Sequence, residues 1–432
     1  MNGVRKLNPD DIVVPAGYRV DVFAEKLNVP INLLIADTGE MFVADAGVTD
    51  GNGKVLKYTG SGFAVVADGF LPPLTGINSH DGNLYVSHRG AITVVGPNGA
   101  KEDILAGLPS WGDHHNNRVV FGPDGRMYFG QGTATNSGVV GADNRWVQKY
   151  PFFHDYPGTR VRLVGQNFLS NNFLTLSSED EACTGAFSPF GVATKPGEKV
   201  KGITAASGSI LRANPDGSNL ELVAWGLRNP FRIKFDREHR LFATNHGMDE
   251  RGSRPIANSP DEFQRIRHGA WYGWPDYTGG YPVTLPRFKS EGQDQPRFLL
   301  SLHPMQPPFP IAAFTPHSAA MGFDFNYNPD FGPVGHVFVA EFGSGARTTG
   351  GKPLPQVGHR VSHIDLKTGR LKNFAINRSR YAASDTGDGG FERPIDIVFG
   401  SSGEMFVLDM GVSKPDGGFI PNTGVIWRII KK

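Results

Sequence analysis

One short pattern constrains this chain more than any other feature. It is a turn, three or four apolar β-forming residues, a polar residue, then glycine. It occurs as MFVADAG (Met41 to Gly47), LYVSHRG (Leu84 to Gly90), MYFGQG (Met127 to Gly132), LFATNHG (Leu241 to Gly247), VFVAEFG (Val337 to Gly343) and MFVLDMG (Met405 to Gly411). The turn glycines Gly39, Gly82 and Gly125 lie 43 residues apart, and the spacing then loosens. Strand-type repeats of about 40–45 residues are the signature of propeller blades. Six copies predict an all-β fold: a six-bladed β-propeller of four-stranded antiparallel blades.

Size and composition agree with that architecture. The 432 residues exceed the roughly 250–300 at which one core stops growing. A propeller avoids the limit because each blade packs only on its neighbours, so residues 1–432 are read as a single domain. The 56 glycines and 32 prolines supply the turns. A net charge of +1 gives no bias toward nucleic acid or a membrane surface, and no apolar run is long enough to span a bilayer. The one cysteine, Cys183, excludes an intramolecular disulfide and a cysteine metal cluster. It is expected to be a small buried filler. The start, MNGVRKLNPDD, has no apolar signal-peptide core.

Residues 1–16 read as an extended arm, and GYRVDVFAE (Gly17 to Glu25) as a strand. Four of the repeats are followed by a hairpin: Gly53 to Gly69, Gly90 to Leu108, Ser209 to Leu227 and Arg360 to Ala375. A blade is thus an inner pair of strands and then an outer hairpin. After Gly411 one clear strand remains, VIWRIIKK (Val425 to Lys432). The missing outer strand is expected from GYRVDVFAE, which would close the ring through the two chain ends and remove two sheet edges. Two insertions break the rhythm, residues 133–204 and 248–316. The second carries HGAWYGWPDY (His268 to Tyr277), and Ser-Pro-Asp-Glu predicts a short helix around Ser259 to Arg267. Loops this long are usually functional, and both are expected on one rim.

The polar position of the six copies reads Asp45, His88, Gln131, Asn245, Glu341 and Asp409. A wet central channel accounts for polar residues there, and a hard cation seeking six to eight oxygens is the functional alternative. The strand before each later copy starts at the same rim: DHHNNRVVFGPDG, WGLRNPFRIKF, PHSAAMGFDF and ERPIDIVF. Counting back six residues from the terminal aromatic lands on His115, Asn229, Ala319 and Arg393. His114, Arg228, His317 and Arg393 therefore cluster at one mouth. Singly, each suits a turn or strand end. Together they suit general-base chemistry beside an anionic or quinoid acceptor. HExxH, P-loop, strand-to-helix GxGxxG and nucleophile-elbow motifs are all absent.

These segments, with PDEFQRIRHGAWYGWPDY, HSAAMGF and ERPIDIVFGSSGEMFVLD, resemble the soluble PQQ-dependent glucose/sorbosone dehydrogenases, which are six-bladed propellers. The resemblance runs from about Gly17 to the C-terminus. GTATNSGVVGADN and TGAFSPFG (Thr184 to Gly191) lean toward the sorbosone-type branch. It implies His114 as the base that takes the sugar hydroxyl proton while hydride passes to the quinone. Asp113 would orient His114 or the substrate, Arg228 would stabilise the quinone oxygen, and Asn229 would contact the cofactor. Gly247 and Met248 would offer carbonyls to Ca²⁺. Arg393 would bind a PQQ carboxylate, with His317 or Ser318 as another cofactor contact. Asp261 and Glu262 would hold a second Ca²⁺.

Two departures stand out. Ile395 occupies the place of a second family arginine. The fifth-blade lysine has no clear counterpart, so Arg347, Lys352 or Arg360 would substitute. The implied activity is oxidation of a sugar, sugar aldehyde or related alcohol, with PQQ and Ca²⁺ as cofactors. A separate electron acceptor is needed, since there is no haem-attachment motif, and the expected location is periplasmic or secreted, with the cytoplasm left open. The alternatives are a Ca²⁺-dependent lactonase using Asp45, Asn245, Glu341 and Asp409, and a non-catalytic glycan- or protein-binding propeller using Trp271 to Tyr277.

Overall fold

The computed structural model describes residues 5–175, 177, 179–346 and 348–432. Almost all regular structure is strand, and the expected fold class holds: six four-stranded antiparallel blades of a β-propeller. Blade 1 is Pro30–Ile35, Met41–Asp45, Gly53–Tyr58 and Phe63–Phe70. Blade 2 is Leu74–His80, Asn83–His88, Ala91–Val95 and Lys101–Leu105. Blade 3 is Val120–Phe121, Met127–Gln131, Ser209–Ala213 and Glu221–Trp225. Blade 4 is Pro230–Phe235, Leu241–Asn245, Glu262–Arg265 and Ala312–Ala313. Blade 5 is Ala320–Phe325, Val337–Glu341, Arg360–Asp365 and Arg370–Asn377. Blade 6 is Pro394–Phe399, Met405–Asp409, Gly424–Lys431 and Tyr18–Leu27.

The chain divides into two compact units. One holds residues up to Ile104, His317–Gly345 and Pro355–Lys432; the other holds Leu105–Pro316 and Ala346–Leu354. In the first, Tyr18–Leu27 pairs antiparallel with Gly424–Lys431, Tyr18 opposite Lys431. The incomplete last copy is completed by the N-terminal strand, as its missing partner required. The arm is also fastened: Ile12–Val13 adds to the outer edge of blade 5. A core around Trp427, Phe338, Phe391 and Phe331 packs blades 5 and 6 together. Each such aromatic buries about 150–250 Å², so these rings dominate the local energetics.

In the second unit, the inserted segments have their own core around Trp225, Trp271, Trp274 and Phe288. The helix expected around Ser259 to Arg267 does not form. Glu262–Arg265 is instead the third strand of blade 4, Glu262 opposite Asn245. Pairing to an existing sheet edge overrides the local cap signal, because Asp261 and Glu262 find their donors in other turns. Residues 248–316 thus contain both outer strands of blade 4. Cys183 is only half-buried, on the Asn167–Asn171/Glu181–Gly185 hairpin.

The polar residues that end the inner strands are buried rather than solvated: Asp45, His88, Gln131, Asn245, Glu341 and Asp409 are all at most 8% exposed. Their side chains fasten neighbouring backbone and side chains. Asn245 Oδ1 accepts from the backbone N–H groups of Arg228 and Asn229, at 2.9 and 3.1 Å. Asp409 repeats the arrangement in blade 6, its two oxygens accepting from Arg393 and Glu392 N–H at 3.0 and 2.8 Å. The repeat's polar position therefore sets the turn that presents the next residues of interest.

Candidate active site

His114 and Arg228 occupy equivalent places, two residues before the position that pairs with Gln131 and Asn245 respectively. Thr133 ties them together. Its N–H donates to the Arg228 carbonyl at 2.9 Å, and its carbonyl accepts from the His114 backbone N–H at 3.1 Å. The same carbonyl lies 3.0 Å from His114 Nδ1. A carbonyl only accepts, so Nδ1 carries the proton and Nε2 keeps its lone pair. Nε2 has no partner among the described residues. Gly132 makes this packing possible, since a Cβ there would sit 2.3 Å from His114 Cβ and 2.9 Å from Asn229 Oδ1.

Burial, and then the charges of Arg228, His246 and Arg251, hold the His114 imidazolium well below its ordinary pKa. The ring is packed deep among protein atoms yet keeps part of its surface open. A neutral imidazole with a free Nε2 is the form a general base requires.

Arg228 is 4% exposed. Its Nε donates to the Asn136 carbonyl at 3.2 Å and its Nη2 to Asp249 at 2.7 Å. Nη1 has no partner among the described residues. Asn229 Nδ2 donates to His246 Nδ1 at 3.1 Å, and Asn229 Oδ1 accepts from Asn117.

Asp113 sits next to the base but does not orient it. Its oxygens accept from Asn144, Trp146 Nε1 and Arg251, the last at 2.5 Å. Arg251 also pairs with Asp143 at 2.6 Å and reaches Asp249 at 3.5 Å. Asp113 therefore anchors the first insertion, and the partner of the His114 ring is Thr133, through its carbonyl at 3.0 Å and its Oγ1 at 3.3 Å.

The turn after Asn245-His246 is fixed through its N–H groups and leaves two carbonyls open. Its N–H groups are braced from one side: Gly247 N–H by Asp261 and Met248 N–H by Ser259, both at 2.7 Å. Their carbonyls accept no hydrogen bond among the described residues. Two adjacent unpartnered carbonyls on a fixed turn fit a hard cation that takes its other oxygens from a ligand and water. Asp261 and Glu262 do not fit a second cage. Glu262 already accepts from Gly279 N–H, Asn245 and Gln264, and burial pushes its carboxyl up. No group of three or more His, Cys, Asp or Glu side chains suited to a metal occurs among the described residues.

In the first unit, Arg393 is held by neutral groups. It donates to the carbonyls of Phe342 and Gly343 and to Ser413 Oγ, and stacks on the Phe342 ring. It has no carboxylate partner within salt-bridge distance among the described residues. Such a guanidinium fits an anionic ligand group. His317 and Ala319 both have left-handed backbone, with φ of 64° and 51°, around the fully buried Ser318. Arg347 lies outside the described residues. Sequence reasoning missed Thr133, Asn136, Asp249 and Arg251. GTATNSG directly after a repeat strand was the available signal for the first two.

Residues 187–327 match the family model described as Glucose / Sorbosone dehydrogenase. The matched stretch carries Arg228, Asn229, Gly247, Met248, Asp261, Glu262, His317 and Ser318. That match covers residues 187–327 alone and agrees with the resemblance the motifs carry. Quinoprotein glucose dehydrogenase B of Acinetobacter calcoaceticus is 26% identical over 184 residues, covering 41% of this chain; the match spans 29% of that relative's length. Among solved structures, the holo PQQ domain of pyranose dehydrogenase from Coprinopsis cinerea superposes with a TM-score of 0.59 at 13% identity, covering 98% of this chain and 97% of that one. The apo soluble aldose sugar dehydrogenase of Escherichia coli gives 0.52 at 14%, covering 96% and 100%. At these identities the two structures speak for the fold. No helix among the described residues is long and apolar enough to cross a membrane.

Proposed function

We propose that the protein is a PQQ- and Ca²⁺-dependent dehydrogenase that oxidises a sugar, sugar aldehyde or related alcohol and passes the electrons to a separate acceptor. The observation that carries this reading is the His114 ring: neutral, its Nδ1 committed to the Thr133 carbonyl, its Nε2 free beside Arg228. PQQ polarised by Ca²⁺ would supply a two-electron acceptor for hydride. His114 Nε2 takes the proton of the substrate hydroxyl. Arg228, fixed by the Asn136 carbonyl and Asp249, offers positive charge where negative charge develops. The carbonyls of Gly247 and Met248 would hold the cation, and Asn229 would contact the cofactor. Arg393 is the proposed partner of a cofactor carboxylate, with His317 and Ser318 as proposed further contacts. By family resemblance the proposed location is periplasmic or secreted. The lactonase alternative gains no support, because Asn245, Glu341 and Asp409 spend their oxygens on protein donors.

The test is reconstitution. Purified protein is mixed with PQQ and CaCl₂, desalted, and presented with aldoses, ketoaldehydes and alcohols plus an artificial acceptor dye. Retained quinone absorbance with dye reduction by one of these classes is expected. Absence of both would refute the reading.

A further inference from the structure

Asp155 is a carboxylate that neither the repeat nor the motifs mark. It is 1% exposed, and no cation lies within salt-bridge distance among the described residues. Its oxygens accept from one turn: Oδ1 from Ala134 N–H at 2.6 Å, and Oδ2 from Thr135 N–H at 3.1 Å and Thr135 Oγ1 at 2.5 Å. That turn is the hub of the candidate site. Thr133 within it receives His114 Nδ1 and holds Arg228. Its Ala134 carbonyl accepts from Asp113 N–H, and Thr133 Oγ1 donates to the Thr135 carbonyl. The Asn136 carbonyl takes Arg228 Nε and Trp274 Nε1, while the Asn136 amide bonds the Asp249 and Arg251 carbonyls.

We propose that Asp155 is a positioning residue for the base: by clamping Ala134 and Thr135 it fixes the Thr133 carbonyl, and with it the tautomer and aim of His114. The role of that aim in turnover rests on the dehydrogenase reading above. Burial pushes the Asp155 carboxyl up to about 6, against the pull of Thr135, Ala134 and Ser207 hydrogen bonds and with the Asp113 charge adding to the rise. Holding it ionised at neutral pH therefore works against folding, which favours a role in the site over one in stability. His154 and Tyr156 flank it in sequence, and neither neutralises it.

The experiment uses the whole 432-residue chain with ¹³C-labelled histidine, His114 being assigned through His114→Gln. The imidazole Cδ2 shift reports the tautomer without cofactor. Wild type is expected in the Nδ1–H form. Asp155→Asn and Thr135→Val are expected to populate the other tautomer and to lower turnover of the PQQ-loaded enzyme about 100-fold, with KM and PQQ retention unchanged. Thr135→Ser, which keeps the hydroxyl, is expected within twofold of wild type. If Asp155→Asn does not fold, Thr135→Val decides. A folded variant whose His114 stays in the wild-type tautomer overturns the proposal. Failure of wild type to load PQQ or oxidise any substrate refutes the dehydrogenase reading instead, and the tautomer still decides the role of Asp155.

Discussion

Arg5 is expected to carry more stability than any surface arginine, and its removal is a quantitative test of how the last blade is held. Arg5 Nη2 lies 2.7 Å from Asp409 Oδ2, with side-chain exposures of 4% and 0%. Asp409 also accepts from Glu392, Arg393 and Gly411 N–H and from Trp427 Nε1. Burial alone would push this carboxyl up; the Arg5 charge and hydrogen bond, with the two backbone donors at Arg393 and Glu392, outweigh it and hold it below its ordinary value. Removing one partner of a buried ion pair costs about 3–5 kcal/mol, or roughly 10²–10⁴ in the folding equilibrium.

Arg5→Ala should show that loss in equilibrium urea unfolding at pH 7. The deficit should shrink with acidity. In wild type the depressed carboxyl contributes stability above the ordinary carboxylate range, and this is lost as pH falls through the folded value. In the variant, Asp409 is buried without its cation, so its pKa rises. The folded state then binds protons before the unfolded state does, and the two stabilities converge as pH falls. Asp409→Asn in the Arg5→Ala background should recover part of the loss. A deficit under about 1 kcal/mol at pH 7, or one equal at pH 7 and pH 4.5, would refute the reasoning.

Three further outcomes are expected. Asn245→Ala strips the acceptor from two buried N–H groups at Arg228 and Asn229, which should cost about 3 kcal/mol and lower turnover, read by urea unfolding and dye assay. Because His114 is held neutral well below pH 6.5, kcat/KM should stay flat as pH drops through 6.5 and fall only at the lower folded pKa. Over that window the unfolded chain binds more protons, so stability should fall as pH falls. Asp261→Asn weakens the brace on Gly247 N–H and should loosen Ca²⁺ binding about 10–100-fold by calorimetry with PQQ present, leaving the urea midpoint nearly unchanged.

The periodic inner strands made the blades legible, because an apolar run closed by a polar residue and glycine repeats wherever a blade begins its second strand. Ring closure was legible for the same reason: a sixth copy followed by one strand needs a partner, and Tyr18–Leu27 supplies it. The outer strands of blade 4 were not legible. Glu262–Arg265 and Ala312–Ala313 are short and separated by the aromatic insertion, and the Ser-Pro-Asp-Glu stretch mimics a helix start. His114 and Arg228 could be paired in advance because they hold equivalent places before two repeats. Thr133 acts through its backbone, and Asp155 and Arg251 act across long sequence separations, so neither periodicity nor a motif points to them. The polar ring looked like a wet channel because strand position alone does not show that a side chain folds back onto backbone donors.

The most direct measurement is on His114→Ala loaded with PQQ and Ca²⁺. If His114 Nε2 is the base, the variant should retain PQQ after desalting as wild type does, while dye-linked turnover of the best substrate falls by about 10²–10⁴-fold. Retained PQQ with unchanged turnover would contradict the assignment of His114, and with it the account of how this site works.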